Sequence, residues 1–525
     1  MPPPGRSARW SFAEPPWDAS SPRWLALAAE LGADHPARRI ARAVDGELDL
    51  GALRRSYAGR GSRPHRPDLL LKLLVFEHER GRPQPVQWHR DLLENKAAQW
   101  LTFGIRPSLT SLDEFRDRIQ PLLEGLNRQV VRAAIAEGHT DGSCGALDGT
   151  AVAANATRHR MVNLRAVEER LEALDREIAE AASSGAAAPP ATASAPAPEG
   201  GGTAQAPLKT AVTLRGQRRQ RAHCRRAREV LRAKLAANDR RRTDKRKPRA
   251  KIKVALGDPQ AAFGLDKLKT YRPLYNVQAM SDVRTDLVLA YATTATTADN
   301  GLLLPMIGRA LAMTGRPLQE VLVDSGYPSG EDLAACVGAG VVVYAPWNEN
   351  SFTEAKRAKK AGEAQVPKDR FVFDPAARTY RCPEGRALRY HGRSRQQRAD
   401  GDYVTIEIYR AEASDCGGCP LKDRCLRRGS AARTVRRGEH EAHIEELRGR
   451  MKEPEAKARY RQRGCTVERR FADLKTHGGL QRFSGRTPER ADAQVGLTVL
   501  AHNLRTLEQL RAQREQPQGT GETAP

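Results

Sequence analysis

Nowhere does the sequence run apolar and uncharged for the roughly 20 residues that a membrane-spanning helix needs. Its opening, MPPPGRSARWSFAEPPWDAS, has no apolar core of signal-peptide length. A soluble, cytosolic protein making no membrane contact is therefore expected. Cysteine is sparse too: 8 in 525 residues cannot staple a fold of this size, so in a reducing compartment they are thiols or metal ligands. Histidine offers no HExxH or comparable ligand pair. Acid is in deficit, with 63 Asp and Glu against 88 Lys and Arg, a net charge of +25. An excess of that size repels itself unless a polyanion neutralises it, and nucleic acid is the leading candidate.

The length suits two to four domains. A flexible segment is expected over residues 1–30 and a helical N-terminal domain over 31–140, a probable DNA reader. PDLLLKLLVFEHER (67–80) has proline at its start and Gly81 past its end, the usual asymmetry of helix termini. Ser111 and Glu114 have capping-box spacing before a long helical pattern, and Trp88 and Trp100 read as core. At GALDGTAVAANA the pattern turns strand-like around Asp148.

An insertion over 158–250 follows: an acidic amphipathic helix (162–182), a low-complexity linker over 183–207, and a very basic helix (208–246). Residues 209–253 hold 19 Lys and Arg against 3 Asp and Glu, so 19 − 3 = 16 of the surplus of +25 lies there. A helical hairpin is expected, with Glu168, Glu169, Glu172, Asp175, Glu177 and Glu180 facing the basic helix while other arginines face phosphates. From LYNVQAM onward, strands and helices alternate through LVLAYATTAT, VLVDSGY and VVVYAP. A β-rich, cysteine-containing insertion is expected over 348–450, and a disordered tail over 512–525.

Carboxylates carry the chemistry. Asp148 and Asp324 each read as sitting at a strand's carboxyl end, where an α/β sheet exposes side chains to a crevice, with Gly149 and Gly326 leaving room beside them. Taken singly, each is equally a turn residue. With a third acid they can hold two metal ions, and Glu468 in YRQRGCTVERRFADLKTHGG is the best candidate. Lys475 follows it by two helical turns on the same face, although an ordinary charged face explains that pattern as well.

LDGTAVAANA, YNVQAMSD with TADN, VLVDSGY, and Tyr460-x2-Arg463-x4-Glu468-x6-Lys475 followed by GLQRFSGRTPERADAQVGLTVLAHNLRTL resemble the DDE transposases of bacterial insertion sequences. The resemblance covers about residues 30–510. It implies an α/β protein with an RNase H-like mixed-sheet catalytic domain over 141–347 and 451–511, interrupted by the β-rich insertion and preceded by the all-α domain. It further implies Asp148, Asp324 and Glu468 as catalytic residues and ligands of Mg²⁺ (or Mn²⁺), two ions in all. The partner would be double-stranded DNA, both transposon ends and target, with a homodimer in the DNA complex. Tyr460, Arg461, Arg463 and Lys475 are the expected DNA contacts.

Related transposases often show Arg-x3-Glu, whereas here Arg463 precedes Glu468 by five. On an α-helix that spacing turns the two side chains apart, so Arg461 and Arg463 remain equal candidates for phosphate.

Cys416-x2-Cys419-x5-Cys425, with Cys382 upstream, has zinc-site spacing, against the alternative of plain reduced thiols. Cys144 and Cys465 read as packing residues, His477 as a surface residue, and Asp299 as the N-cap or turn of the helix after it. Ala493, Leu497, Leu500, Leu504 and Leu507 mark a core-facing helix. The function expected is cleavage at element ends followed by strand transfer. The alternatives are a nuclease of the same fold without strand transfer and a non-catalytic, transposase-derived DNA-binding protein.

Overall fold

The structure is a computed structural model that describes residues 11–57, 62–183, 211, 213–266, 269–347, 366–398, 400–426 and 429–515. Nearly all of the linker expected over 183–207, the start of the flexible segment, the first residues of the β-rich insertion and the end of the tail lie outside those residues.

The first 136 residues contribute helices. Pro67–Glu79 is buried on every side through His78, as expected for a helix apolar around its whole circumference. It ends at Gly81, whose φ of 68° suits glycine. The long helix expected after Ser111 is two, Leu109–Ile119 and Leu123–Ala136, with a 3-10 turn at Gln120–Leu122. Pro121 has no N–H with which to continue the ladder. The N-cap is Ser108, accepting from the Ser111 N–H at 3.1 Å, so the expected Ser111–Glu114 box is shifted by one turn. Residues 22–30, expected to be flexible, form the helix Pro22–Glu30. Trp24 from it stacks on Trp100 with ring centroids 5.4 Å apart, and Trp88 and Trp100 are core residues.

The central sheet begins with β1 (Cys144–Ala153). Two short strands, β2 (Met161–Val162) and β3 (Val254–Ala255), pair antiparallel and close the base of the hairpin insertion. Then come β4 (Ala262–Leu265), β5 (Tyr271–Asp282), β6 (Val288–Thr294), β7 (Glu320–Leu322) and β8 (Val342–Tyr344). One edge of β5 pairs antiparallel with β1 and the other with β6 and β4; β1 continues parallel to β7, and β7 parallel to β8. The result is a mixed sheet with β1 at its centre.

The helix Pro488–Glu515 packs against this sheet at β6 and against the helices Pro67–Glu79 and Leu123–Ala136. Ala493, Leu497, Leu500, Leu504 and Leu507 are all buried in the resulting core. Asn503 gives the outer edge of β6 a surrogate strand partner, accepting from the Val288 N–H at 2.9 Å and donating to its carbonyl at 3.2 Å. The helix runs through residues 512–515, which were expected to be disordered.

The insertion helices Leu164–Ser183 and Leu214–Arg240 form an antiparallel hairpin with a small core of their own, including Val167, Leu171, Leu174, Ala227 and Leu231. Arg232–Glu168 (3.0 Å) and Arg221–Asp175 (2.9 Å) cross between the helices.

The second sheet runs β9 (Val372–Asp374), β10 (Thr379–Arg381), β11 (Ala387–Gln397), β12 (Tyr403–Ala411) and β13 (Thr434–Gly438), all neighbours antiparallel. Its tyrosines 380 and 409 and Leu388 make a third core. Among the described residues no helix is long and apolar enough to cross a membrane.

Candidate active site

The parallel ladder between β1 and β7 ends at Ala146↔Leu322. Asp148 and Asp324 each follow two residues later, Asp148 within β1 and Asp324 two residues past the end of β7. Asp148 is not at a strand end, as its sequence suggested: it is the fifth of ten residues in β1, which continues alongside β5 as far as Ala153↔Leu274. Only relative to β7 does it emerge from the ladder. Asp324 is exposed, and its Oδ1 accepts from the Ser325 N–H at 2.6 Å, while its carbonyl accepts from the Tyr327 N–H at 3.1 Å. It serves the turn as well as facing the site.

Glu468 arrives from the helix Pro454–Arg463, which passes through a π-turn, Gly464–Glu468, into the α-helix Arg469–Thr476. Here the sequence expectation about Arg463 is overturned. In a π-turn the repeat lengthens to i→i+5, so Arg463 and Glu468 lie on one face instead of turning apart. The Arg463 guanidinium bonds Glu468 at 2.9 Å and Asp148 at 2.8 Å. Its side chain is 8 % exposed, against 58 % for Glu468. Arg461 is exposed and has no ion pair among the described residues. Of the two arginines, then, 463 is committed to the acids and 461 faces solvent. Tyr460, half-buried, feels the charge of Arg463, Asp324 and Glu468 together, and burial raises its phenol above the ordinary range.

Burial also raises the Asp148 carboxyl; Arg463 opposes that shift, and Glu468 and Asp299 reinforce it. Asp299 was expected to cap the next helix. That helix, Leu303–Thr314, has no side-chain cap, and the Asp299 side chain instead accepts from Asn276 at 2.8 Å and Gln278 at 2.9 Å. Gly149 makes room for this group and not for a ligand: a Cβ there would stand 2.6 Å from the Asp299 carboxylate and 2.2 Å from the Gln278 amide. Gln278 also accepts from the buried Tyr327 hydroxyl at 2.5 Å. Sequence reasoning missed this layer; the signal available was the alternation of Asn276 and Gln278 in YNVQAM, which puts both amides on one face of β5. Gly326 is open: a Cβ there would meet nothing within 4 Å.

Lys475 reaches the Ala151 carbonyl of β1 at 3.4 Å. The end of its helix is fixed by a glycine contact: a Cβ on Gly81 would lie 2.5 Å from the His477 carbonyl, and one on Gly479 would lie 2.8 Å from the Gly81 carbonyl. His477 itself is exposed.

Hard carboxylate oxygens suit Mg²⁺ or Mn²⁺, and the guanidinium between Asp148 and Glu468 marks a place where positive charge is already held. No three His, Cys, Asp or Glu side chains among the described residues are close enough together to hold an ion, so Asp324 is not drawn into that pair.

Cys382, Cys416, Cys419 and Cys425 line one small cavity beside the second sheet. All four are free thiols and gather around this cavity, although among the described residues no three His, Cys, Asp or Glu side chains are placed to hold an ion. Cys144 is buried, its thiol pushed up to about 12. Cys465, expected to pack, is exposed.

Residues 381–508 match the family model described as Transposase DDE domain. The matched stretch holds the four clustered cysteines, Arg463 and Glu468, and leaves Asp148 and Asp324 upstream of it. No curated protein and no solved structure matches the chain. Over residues 381–508 the chain is similar to the DDE domain of transposases.

Proposed function

We propose that the protein is an RNase H-like DNA transposase of the bacterial insertion-sequence type, cutting at the element's ends and joining the freed 3′ hydroxyl to target DNA. The observation that carries this reading is the π-turn that brings Glu468 to the guanidinium shared with Asp148, with Asp148 and Asp324 each two residues beyond the last paired residues of the parallel β1–β7 ladder. The sheet, with β6, β5 and β1 antiparallel and β7 and β8 parallel to β1, supports the fold assignment.

Asp148 and Glu468, joined through Arg463, are the residues that would hold divalent ions once Asp324 is drawn in beside them; such ions would supply an activated oxygen nucleophile and stabilise the leaving oxygen of an in-line displacement. The chain's own residues do the rest. Arg463 neutralises two neighbouring acids and keeps them folded inward. Asn276 and Gln278 fix the Asp299 carboxylate beside Asp148, and Lys475 ties the Glu468 helix to β1. Arg461 and the exposed arginines of the hairpin offer phosphate contacts that set register without reading bases. Two ends to be joined imply two copies in the DNA complex.

The test is incubation of purified protein with end-sequence duplex and Mg²⁺. Cleavage with joining is the expected result. Cleavage alone would identify a nuclease, and binding alone a non-catalytic DNA-binding protein. Full strand transfer by Asp324→Asn would overturn the assignment of that residue.

A further inference from the structure

The second sheet has two unlike faces. On one, Phe373, Tyr380, Leu388, Tyr409 and Val435 pack together, and Arg437, held by Glu445 at 2.6 Å, closes over the Phe373 ring. The opposite face carries Arg381, Arg389, Arg410 and Arg436, one from each of β10, β11, β12 and β13.

Register puts these four in a row. Arg389 lies directly opposite Arg410. Arg381 pairs with Ala387, two residues before Arg389, and Arg436 stands two residues beyond Thr434, the partner of Arg410, so each outer arginine sits diagonally next to an inner one. All four are exposed, and among the described residues no carboxylate pairs with any of them. Elsewhere on the same sheet arginines do find acids, as Arg378 and Arg393 find Glu407 at 3.1 and 3.3 Å.

Like charges directly opposite on antiparallel strands destabilise a sheet. A row of four without a counter-charge is therefore a stability cost that an external anion would relieve. With the directly opposite pair about 5 Å apart and each diagonal pair about 7–8 Å apart, the row spans about 20 Å, which matches the axial rise of about six phosphates on one strand of a duplex. A single phosphate or an acidic side chain would meet only part of it.

We propose that this arginine face binds the phosphate backbone of duplex DNA, as a surface separate from the carboxylate site. The same sheet meets the basic hairpin at its other end, where Arg242 donates to the Gln397 carbonyl of β11 at 3.4 Å, eight residues along the strand from Arg389. The choice of duplex DNA over other polyanions rests on the transposase reading above.

Binding of a fluorescent duplex is to be measured by anisotropy in EDTA, as a function of salt, for the full chain and for Arg389→Gln/Arg410→Gln. The double variant should bind at least tenfold more weakly, and the slope of log Kobs against log salt should become shallower by about 2. Its melting temperature should not fall, because a repulsion is removed. A folded variant with unchanged affinity and slope would overturn the proposal, and preference for single-stranded RNA of equal length with the same arginine dependence would overturn the assignment to duplex DNA. If the variant does not fold, phenylglyoxal footprinting of the unaltered protein decides: DNA should protect these four arginines, and equal modification with and without DNA would sink the idea. Because no step needs catalysis, a protein that binds through this face but never cleaves its ends would refute the transposase reading alone.

Discussion

Arg463 is the residue on which the site turns. Asp148 and Glu468 repel each other, and one buried guanidinium within 3 Å of both offsets that repulsion in the metal-free protein. Removing one partner of a buried charge cluster leaves the others uncompensated. Arg463→Gln should therefore lower the melting temperature in EDTA, by the equivalent of about 2 kcal/mol, and should enlarge the gain in melting temperature on adding Mg²⁺ or Mn²⁺. A smaller gain than in the unaltered protein, read by scanning calorimetry, would show that the arginine helps hold the ions instead of substituting for them. Asp148→Asn leaves Arg463 its bond to Glu468, so it should fold normally and lose end cleavage by at least about a hundredfold. The three acids stand out as candidates in the sequence because each closes a distinctive short stretch. The arginine's role does not, because it was judged by the phase of an α-helix that the chain does not keep there.

That phase belongs to the element. The one-residue excess of Arg463-x4-Glu468 over Arg-x3-Glu is absorbed by the π-turn Gly464–Glu468, which restores the facing of two side chains that a straight helix would separate. Exposed Cys465 lies inside the turn. Deleting it should convert the turn to α-helix, leave arginine and glutamate at i, i+4 spacing, and preserve end cleavage within about tenfold, since such pairs still meet. Circular dichroism would check the fold, and loss of cleavage from a folded deletion would mean that the turn itself shapes the site.

Helix 67–79 offers a second case. Burial, and next the neighbouring Asp91, push the Glu77 carboxyl up to about 8, against the pull of Arg80 and Arg82. Arg80 lies 3.4 Å away, yet burial outweighs it. A carboxyl whose native pKa exceeds its unfolded value near 4.3 keeps a proton that the unfolded chain has lost, so stability falls as pH rises from about 4.3 to about 8 and levels off above that, where both states are ionised. Raising the pH from 7 to 9 should cost about 1 kcal/mol, and Glu77→Gln, which keeps a donor toward Asp91, should flatten that slope in thermal melts. Apolar patterning made this helix visible in the sequence; the buried acid on it has no periodic signature.

At the scale of the molecule, the sequence divides where its composition changes, and much of the layout was visible for that reason. The concentration of charge in residues 209–253 marked the hairpin, and the cross-helix pairs of Arg221 and Arg232 followed from its acidic partner. The packing of Pro488–Glu515 against both the sheet and the N-terminal helices was not visible, because it depends on contacts between segments hundreds of residues apart. The same separation of cores makes a prediction. The hairpin's apolar contacts are its own, and its base is closed by β2 and β3, which pair Val162 with Val254. Replacing residues 164–252 with a short Gly/Ser linker should therefore leave the central sheet folded, with a cooperative melt near that of the full chain. The shortened protein loses 21 Lys and Arg with 10 Asp and Glu, so 21 − 10 = 11 of the surplus of +25; its affinity for duplex DNA should fall by about tenfold or more and its salt dependence should weaken, by roughly 0.9 in slope for each phosphate no longer neutralised. An anisotropy titration across salt concentrations reads both. An unchanged slope in a folded protein would mean that the hairpin's arginines serve only their acidic partner helix, and that the DNA path lies wholly over the carboxylate site and the arginine face of the second sheet.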